Sequence, residues 1–534
     1  MRRVTADEAV AVIRSGDTIL IGGSGGGHAV PEALMAAVER RFLSQGEPRN
    51  ITLLHPVGLG DSKTQGAQHF AHEGLLKRDV GGTFVNSPKI SDLAIADKIE
   101  GYTLPQGALS QLMREMAAGR AGLLTKTGLH TFVDPRHGGG RQSPSAKEDL
   151  VELVQFRGEE YLFYKPYHVD VCFIRGTTAD EDGNVSMEEE AFFGEMLSEA
   201  QATRRCGGIV IVQVKRMAKR GTLHCKHVKI PSILVDYVVV EPEQWQTYET
   251  YYSPAYSGEL KIPLTDIPVL PFDARKIVAR RAAMELFPGA ICNLGSGIFT
   301  GIANVAAEED VLDEICLTNE QGMIGGAPAS GGEAGASRNH AAMIDQPYQF
   351  DFYDGGGLDL AFLSFAEFDE QGNVNVSRFG NRIVGPGGFI NISQNAKTVI
   401  FGGTFTAGKS ELSWPDGKMK IASDGNGQKL VKAVEQITYS GSYGAERGQG
   451  ALYVTERAVF QLGQDGVELI EIAPGADIER DVLARMGFRP KIARNLKTMD
   501  ARIFRPERMD LRKDLASKPR MARSSRLDLP EAAQ

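Results

Sequence analysis

Short apolar runs alternate with longer mixed stretches along this chain. Thr18-Ile-Leu-Ile21, Ile51-Thr-Leu-Leu-His55, Asp170-Val-Cys-Phe-Ile174 and Ile209-Val-Ile-Val212 mark the first half, and Ala290-Ile-Cys-Asn-Leu294, Ile315-Cys-Leu317, Asp359-Leu-Ala-Phe-Leu363 and Thr398-Val-Ile-Phe401 mark the second. Runs this short and this uniformly apolar predict strands buried on both faces, the habit of a parallel sheet covered by helices. The stretches between them predict helices, for example over 31–42 and 302–311.

The pattern repeats. Asp170 and Asp180 recur as Asp359 and Asp369, each 189 positions on, within Asp-x-x-Gly-Asn-Val in both copies, and the strands at Ile209 and Thr398 keep that spacing. Nearer the start of each half, Gly16-Asp-Thr-Ile-Leu-Ile-Gly-Gly-Ser-Gly25 resembles Gly289-Ala-Ile-Cys-Asn-Leu-Gly-Ser-Gly-Ile298. A repeated strand–glycine loop–helix unit in 534 residues predicts two homologous open α/β domains with largely parallel sheets, over 1–270 and 271–510. From Arg505 to Gln534 the chain is charged, and 511–534 is set apart as an extended C-terminal tail.

Charge and composition narrow the classes. A net charge of −9 excludes a general polyanion-binding surface, so no nucleic-acid partner is expected. No apolar stretch is long enough for a membrane span, and the N-terminus lacks the apolar run of a signal peptide, so the expectation is a cytoplasmic protein with no membrane partner. The five cysteines are scattered with no CxxC pair, and His224 and His227 alone supply too few ligands, so no metal site is expected.

Two glycine-rich loops invite nucleotide readings. Gly403-Thr-Phe-Thr-Ala-Gly408-Lys409-Ser410 matches the P-loop spelling, yet Glu411-Leu-Ser-Trp-Pro415-Asp-Gly417 follows it and predicts a hairpin where the phosphate cradle needs a helix. Gly295-Ser-Gly297-Ile-Phe-Thr300 follows a strand and precedes a helix, with Glu320 beyond the next strand, as a ribose-binding acid would be. A nicotinamide-dependent oxidoreductase therefore remains an alternative.

Glu320 also supports different chemistry. It opens Gln321-Gly-Met-Ile-Gly325-Gly-Ala-Pro-Ala-Ser-Gly331, a loop of glycine, small and apolar residues that lets backbone approach a ligand and supplies few counter-charges. A poorly hydrated carboxylate is a good nucleophile toward an activated acyl group. The first half has Pro56 at the matching position, so only one half carries a carboxylate there. On spacing alone, a surface glutamate at a strand end fits as well.

Asn319-Glu-Gln-Gly322, Asp345-Gln-Pro-Tyr-Gln-Phe-Asp-Phe-Tyr-Asp-Gly-Gly-Gly357 and Phe389-Ile-Asn-Ile-Ser-Gln-Asn-Ala396 closely resemble family I coenzyme A transferases of the single-chain acetate, propionate and 3-oxoacid type. Tyr102-Thr-Leu-Pro-Gln-Gly107 and Thr131-Phe-Val-Asp-Pro135 extend the resemblance over nearly the whole chain to about residue 500. It implies an active site between two fused domains, with Glu320 as the residue that forms an acyl anhydride and then a glutamyl-CoA thioester. Coenzyme A is then a substrate, no cofactor or metal is needed, and the partners are acyl-CoA, free carboxylic acids and further copies of the chain in a dimer or tetramer.

The resemblance also implies secondary roles. Gly387 and Gly388 are the candidate oxyanion donors, against a plain structural turn. Gly295, Gly297 and Ile298 are candidates for contacting CoA. Gly25 and Gln106 are candidates for the acyl pocket, beside His28. Asn373 and Asn375 are candidates for positioning Glu320; Ser186 stands opposite Asn375 in the first half, which favours Asn375 as the specialised residue. Besides the oxidoreductase, a thioesterase and a non-catalytic CoA-sensing protein remain as alternatives.

Overall fold

The computed structural model describes residues 1–263 and 267–520. Among them, two large sheets carry the two halves. The first has eight strands in the order Arg2–Val4, Tyr237–Val240, Ile209–Val214, Val171–Arg175, Thr18–Ile21, Ile51–His55, Leu76–Gly81 and Glu100–Thr103, with every neighbouring pair parallel. The second has ten, and its centre repeats the first: Cys316–Thr318, Ile291–Leu294, Leu360–Ser364, Thr398–Gly402 and Gly450–Val454 run parallel in that order. Antiparallel strands extend it at both ends, including the hairpin partner Met323–Ile324.

Alternation along each strand feeds two cores. In Val171–Arg175, Cys172 and Ile174 join the cluster beneath helices Gln106–Ala117 and Met196–Arg205. Val171 and Phe173 join the one beneath helix Glu32–Gln45. Each such side chain contributes about 1.5–3 kcal/mol on burial, which is why the strands read as unbroken apolar runs. Helix Glu32–Gln45 stops at Gly46, whose φ of 74° is the left-handed conformation that favours glycine, and its amide closes on the Phe42 carbonyl.

The repeat holds residue by residue. Leu20 pairs with Leu54 and Cys172, and Asn293 pairs with Thr318 and Ala361, so Leu20 and Asn293 occupy the same slot in the two domains. The P-loop spelling at 403–410 follows strand Thr398–Gly402, holds the short strand Thr406–Ala407 and leads into the hairpin Glu411–Ser413 with Lys420–Ser423, so no helix receives a phosphate there.

The expected extended tail is corrected. Residues Leu511–Ala516 form a helix, and Met509, Leu511 and Leu515 are buried in the second domain's core. Arg280 donates to the Pro506 and Glu507 carbonyls, and Glu309 accepts from the amides of Met509 and Leu511. Apolar residues spaced among the charges give this segment a buried face. Residues 521–534 lie outside the described residues.

Candidate active site

The two domains enclose a cavity of about 810 Å³, walled by Ser24, Gly25 and Gln106 on one side and Gly295, Glu320 and Gly388 on the other. Its floor is stitched across the domains. The Gly387 amide donates to the Gly82 carbonyl at 2.8 Å, the Gln106 amide to the Gly387 carbonyl at 2.9 Å, and Phe84 to Val384 at 2.7 Å.

Glu320 projects from the turn that joins Cys316–Thr318 to Met323–Ile324. Asn319 and Met323 pair across the turn at 3.1 Å, and Gly322 donates to the Asn319 carbonyl. Gly322 has φ 110°, and a Cβ there would sit 2.0 Å from the Ile344 carbonyl oxygen, so only glycine allows the chain to close this tightly. The turn aims the carboxylate into the cavity.

Burial pushes the Glu320 carboxyl above its ordinary pKa, and its own backbone amide, Asn293 and Gln321 partly offset this by donating to it. Asn293 Nδ2 lies 3.5 Å from Oε2 and Gln321 Nε2 lies 3.2 Å from Oε1. Among the described residues no cation pairs with Glu320. Asn293 also contacts the Tyr353 hydroxyl at 3.4 Å, which is 2.7 Å from Thr318 Oγ1. The carboxylate is thus steered by neutral donors and left unquenched.

The other candidates divide. Gly388 abuts Glu320: a Cβ there would lie 3.4 Å from Glu320 Cγ, and its amide has no partner among the described residues. Gly387 is corrected as a donor, because its amide is tied to Gly82. Gly295 lines the cavity. Gly297 and Ile298 do not, and the Ile298 amide donates to Ser364 Oγ at 3.1 Å, so their part is to shape the loop. Gly25 and Gln106 both line the cavity. His28 lies buried beside them, donating from Nε2 to the Ala334 carbonyl at 3.1 Å; burial lowers its pKa to about 4 and keeps it neutral.

Neither asparagine expected to hold Glu320 does so. Asn373 donates to Asp369 at 3.0 Å and accepts from the Gly441 amide, repeating what Asn184 does for Asp180. Asn375 donates to Glu367 at 2.8 Å and accepts from the amides of Ser377 and Arg378. Both brace turns. The residue that was missed is Asn293, a fully buried polar side chain inside Ile-Cys-Asn-Leu where the first domain has Leu20. The nicotinamide reading falls as well: helix Gly301–Glu308 does follow the loop, but the Ile298 amide at its entry is already taken by Ser364 Oγ, and Glu320 faces amide donors.

Three comparisons agree with this geometry. Residues 3–241 match the family model described as Coenzyme A transferase. Caffeate CoA-transferase of Acetobacterium woodii is 47% identical over 509 residues, covering 94% of this chain and 97% of that protein. Acetate CoA-transferase YdiF of Escherichia coli O157:H7 is 45% identical over 502 residues, covering 94% of each. The crystal structure of that acyl-CoA transferase in a thioester complex with CoA superposes with a TM-score of 0.91 at 44% identity, covering 95% of this chain and 96% of the other. With relatives this similar along their whole length, and a carboxylate lining the cavity between the domains, the chain belongs to the coenzyme A transferase family.

Proposed function

We propose that this enzyme moves CoA between short-chain carboxylic acids by a ping-pong mechanism through Glu320. The observation that carries the reading is the Glu320 carboxylate itself: desolvated, unpaired with any cation among the described residues, and aimed into the cavity between the domains.

A carboxylate oxygen of Glu320 attacks the acyl-CoA carbonyl carbon, the C–S bond breaks, and CoA thiolate leaves an acyl-glutamyl anhydride. The thiolate attacks the glutamyl carbonyl, the C–O bond breaks, and the first acid departs from a glutamyl-CoA thioester. An acceptor carboxylate attacks that thioester and expels the thiolate, which then attacks the new acyl carbonyl and frees Glu320. No net proton or redox equivalent is exchanged. Each tetrahedral intermediate needs a donor at its oxyanion, and the open amide of Gly388 supplies one beside Glu320. Gly295 meets the CoA side of the cavity, and Gly25 and Gln106 meet the acyl side.

Steady-state exchange from propionyl-CoA to labelled acetate tests this. Parallel double-reciprocal lines are expected, with exchange abolished in Glu320→Ala. Acid release at the same rate without acceptor would make the protein a thioesterase, and exchange that survives Glu320→Ala would remove the nucleophile from the account.

A further inference from the structure

A line of buried polar side chains runs from the first domain's interior to Gln106 on the cavity wall. Glu195 opens helix Met196–Arg205 and is 1% exposed. Its Oε2 accepts from Ser110 Oγ at 3.0 Å and from Gln346 Nε2 at 2.8 Å. Gln346, from the second domain, accepts on Oε1 from Gln106 Nε2 at 3.2 Å. Gln106 lines the cavity, and its amide is anchored to the Gly387 carbonyl at 2.9 Å.

The inner end dictates the direction of this line. Glu199 lies one helical turn beyond Glu195, fully buried, and both of its oxygens, with Glu195 Oε1, lack partners among the described residues. Burial raises the pKa of both carboxyls, and the charge of Glu195 raises Glu199 further. Glu195 Oε2 already takes two donors whereas Glu195 Oε1 and the Glu199 oxygens take none, so a proton taken up by this pair sits on the unpartnered side and Oε2 stays an acceptor. Gln346 must then turn its NH₂ toward Glu195 and its carbonyl toward Gln106. Gln106 answers with its own NH₂, and its Oε1, without a partner among the described residues, is the atom left for the cavity.

We propose that Glu195 is a positioning residue that, through Gln346, holds Gln106 with its carbonyl oxygen toward the cavity, so that the enzyme favours acids carrying a hydroxyl on their chain over their deoxy and oxo counterparts. This rests on the transferase reading above. A carbonyl on the wall rewards an O–H on the substrate and repels another carbonyl oxygen.

The test is the rate at which 2-hydroxybutyrate, 3-hydroxybutyrate, butyrate and 3-oxobutyrate discharge the enzyme–CoA adduct formed from propionyl-CoA. In the wild type a hydroxy acid is expected to discharge it about tenfold faster than butyrate. Glu195→Gln removes the obligate acceptor that fixes the direction, so the amides can take either orientation and the hydroxyl preference falls. Gln106→Leu erases the preference, and adding Glu195→Gln in that background leaves the ratios unchanged. If Glu195→Gln does not fold, Gln346→Met cuts the line and the hydroxyl preference has to fall. An adduct discharged without discrimination, a ratio that ignores both changes, or a Glu195→Gln effect that persists without Gln106 would overturn the proposal while leaving the transferase reading intact. Failure of any adduct to form would remove both.

Discussion

The same strand end is built twice in this molecule and put to opposite uses. In the first domain Leu20 and Leu54 lie side by side, and the chain leaves the sheet through His55 and Pro56. His55 is sealed: Nε2 meets Asp79 Oδ1 at 3.0 Å and Nδ1 meets the Val57 carbonyl at 2.7 Å, with both side chains buried. Burial works against the imidazolium, but the charge and hydrogen bond of Asp79 outweigh it and raise the His55 pKa. In the second domain Asn293 and Thr318 take the places of the two leucines, and Glu320 takes the place of Pro56. Its partners there are neutral amides, and its carboxylate opens on the cavity. An ion pair at a strand end gives a closed structural joint; neutral donors and desolvation at the same place leave a carboxylate without a counter-charge among the described residues.

The largest expected effect removes the difference at its source. Glu320→Gln keeps the shape and should lower transfer by about 10⁴-fold or more in an exchange assay, with the thermal midpoint little changed. The closed joint is next. Asp79→Asn leaves His55 without its counter-charge and is expected to cost about 3 kcal/mol by denaturant unfolding. Because the folded His55 pKa is raised, that contribution is fully present below the unfolded pKa of about 6.5 and is lost as pH rises through the folded value, so the gap between variant and wild type should narrow on the alkaline side.

A smaller effect separates steering from scaffolding. Asn293→Leu installs the first domain's residue, removes a donor to the ionised carboxylate, and is expected to lower kcat by about tenfold. Losing that donor also raises the Glu320 pKa further, so the acid limb of the kcat/KM profile, already above the ordinary value of 4.5, should move to higher pH. Asn375→Ser likewise installs the first domain's residue, but on a turn that Glu320 does not touch. It is expected to cost about 1 kcal/mol of stability and to leave that limb in place.

The fold was legible because strands buried on both faces advertise themselves as apolar runs, and the repeat supplied its own alignment. Glu320 was singled out by a loop short of counter-charges together with the family resemblance of Asn319-Glu-Gln-Gly322; the loop alone fitted a surface glutamate equally. Its support was not legible, for a definite reason: Ser186 against Asn375 exchanges one polar residue for another, whereas Leu20 against Asn293 puts a buried amide where an apolar side chain should be, and only the second difference faces Glu320. The direction of the Gly387 amide depends on Gly82, far away in the chain, so no local spelling reveals it. The docking of the tail rests on Met509, just before the helix, and on Leu511 and Leu515, which charged neighbours hide until the helix brings those two to one face.

The most direct test is mass spectrometry of the denatured protein and its peptides after incubation with propionyl-CoA and no acceptor acid. The account predicts a CoA adduct on the peptide carrying Glu320, absent in Glu320→Ala and discharged when an acceptor acid is added. Unmodified protein beside consumed acyl-CoA, or an adduct on any other residue, would contradict it.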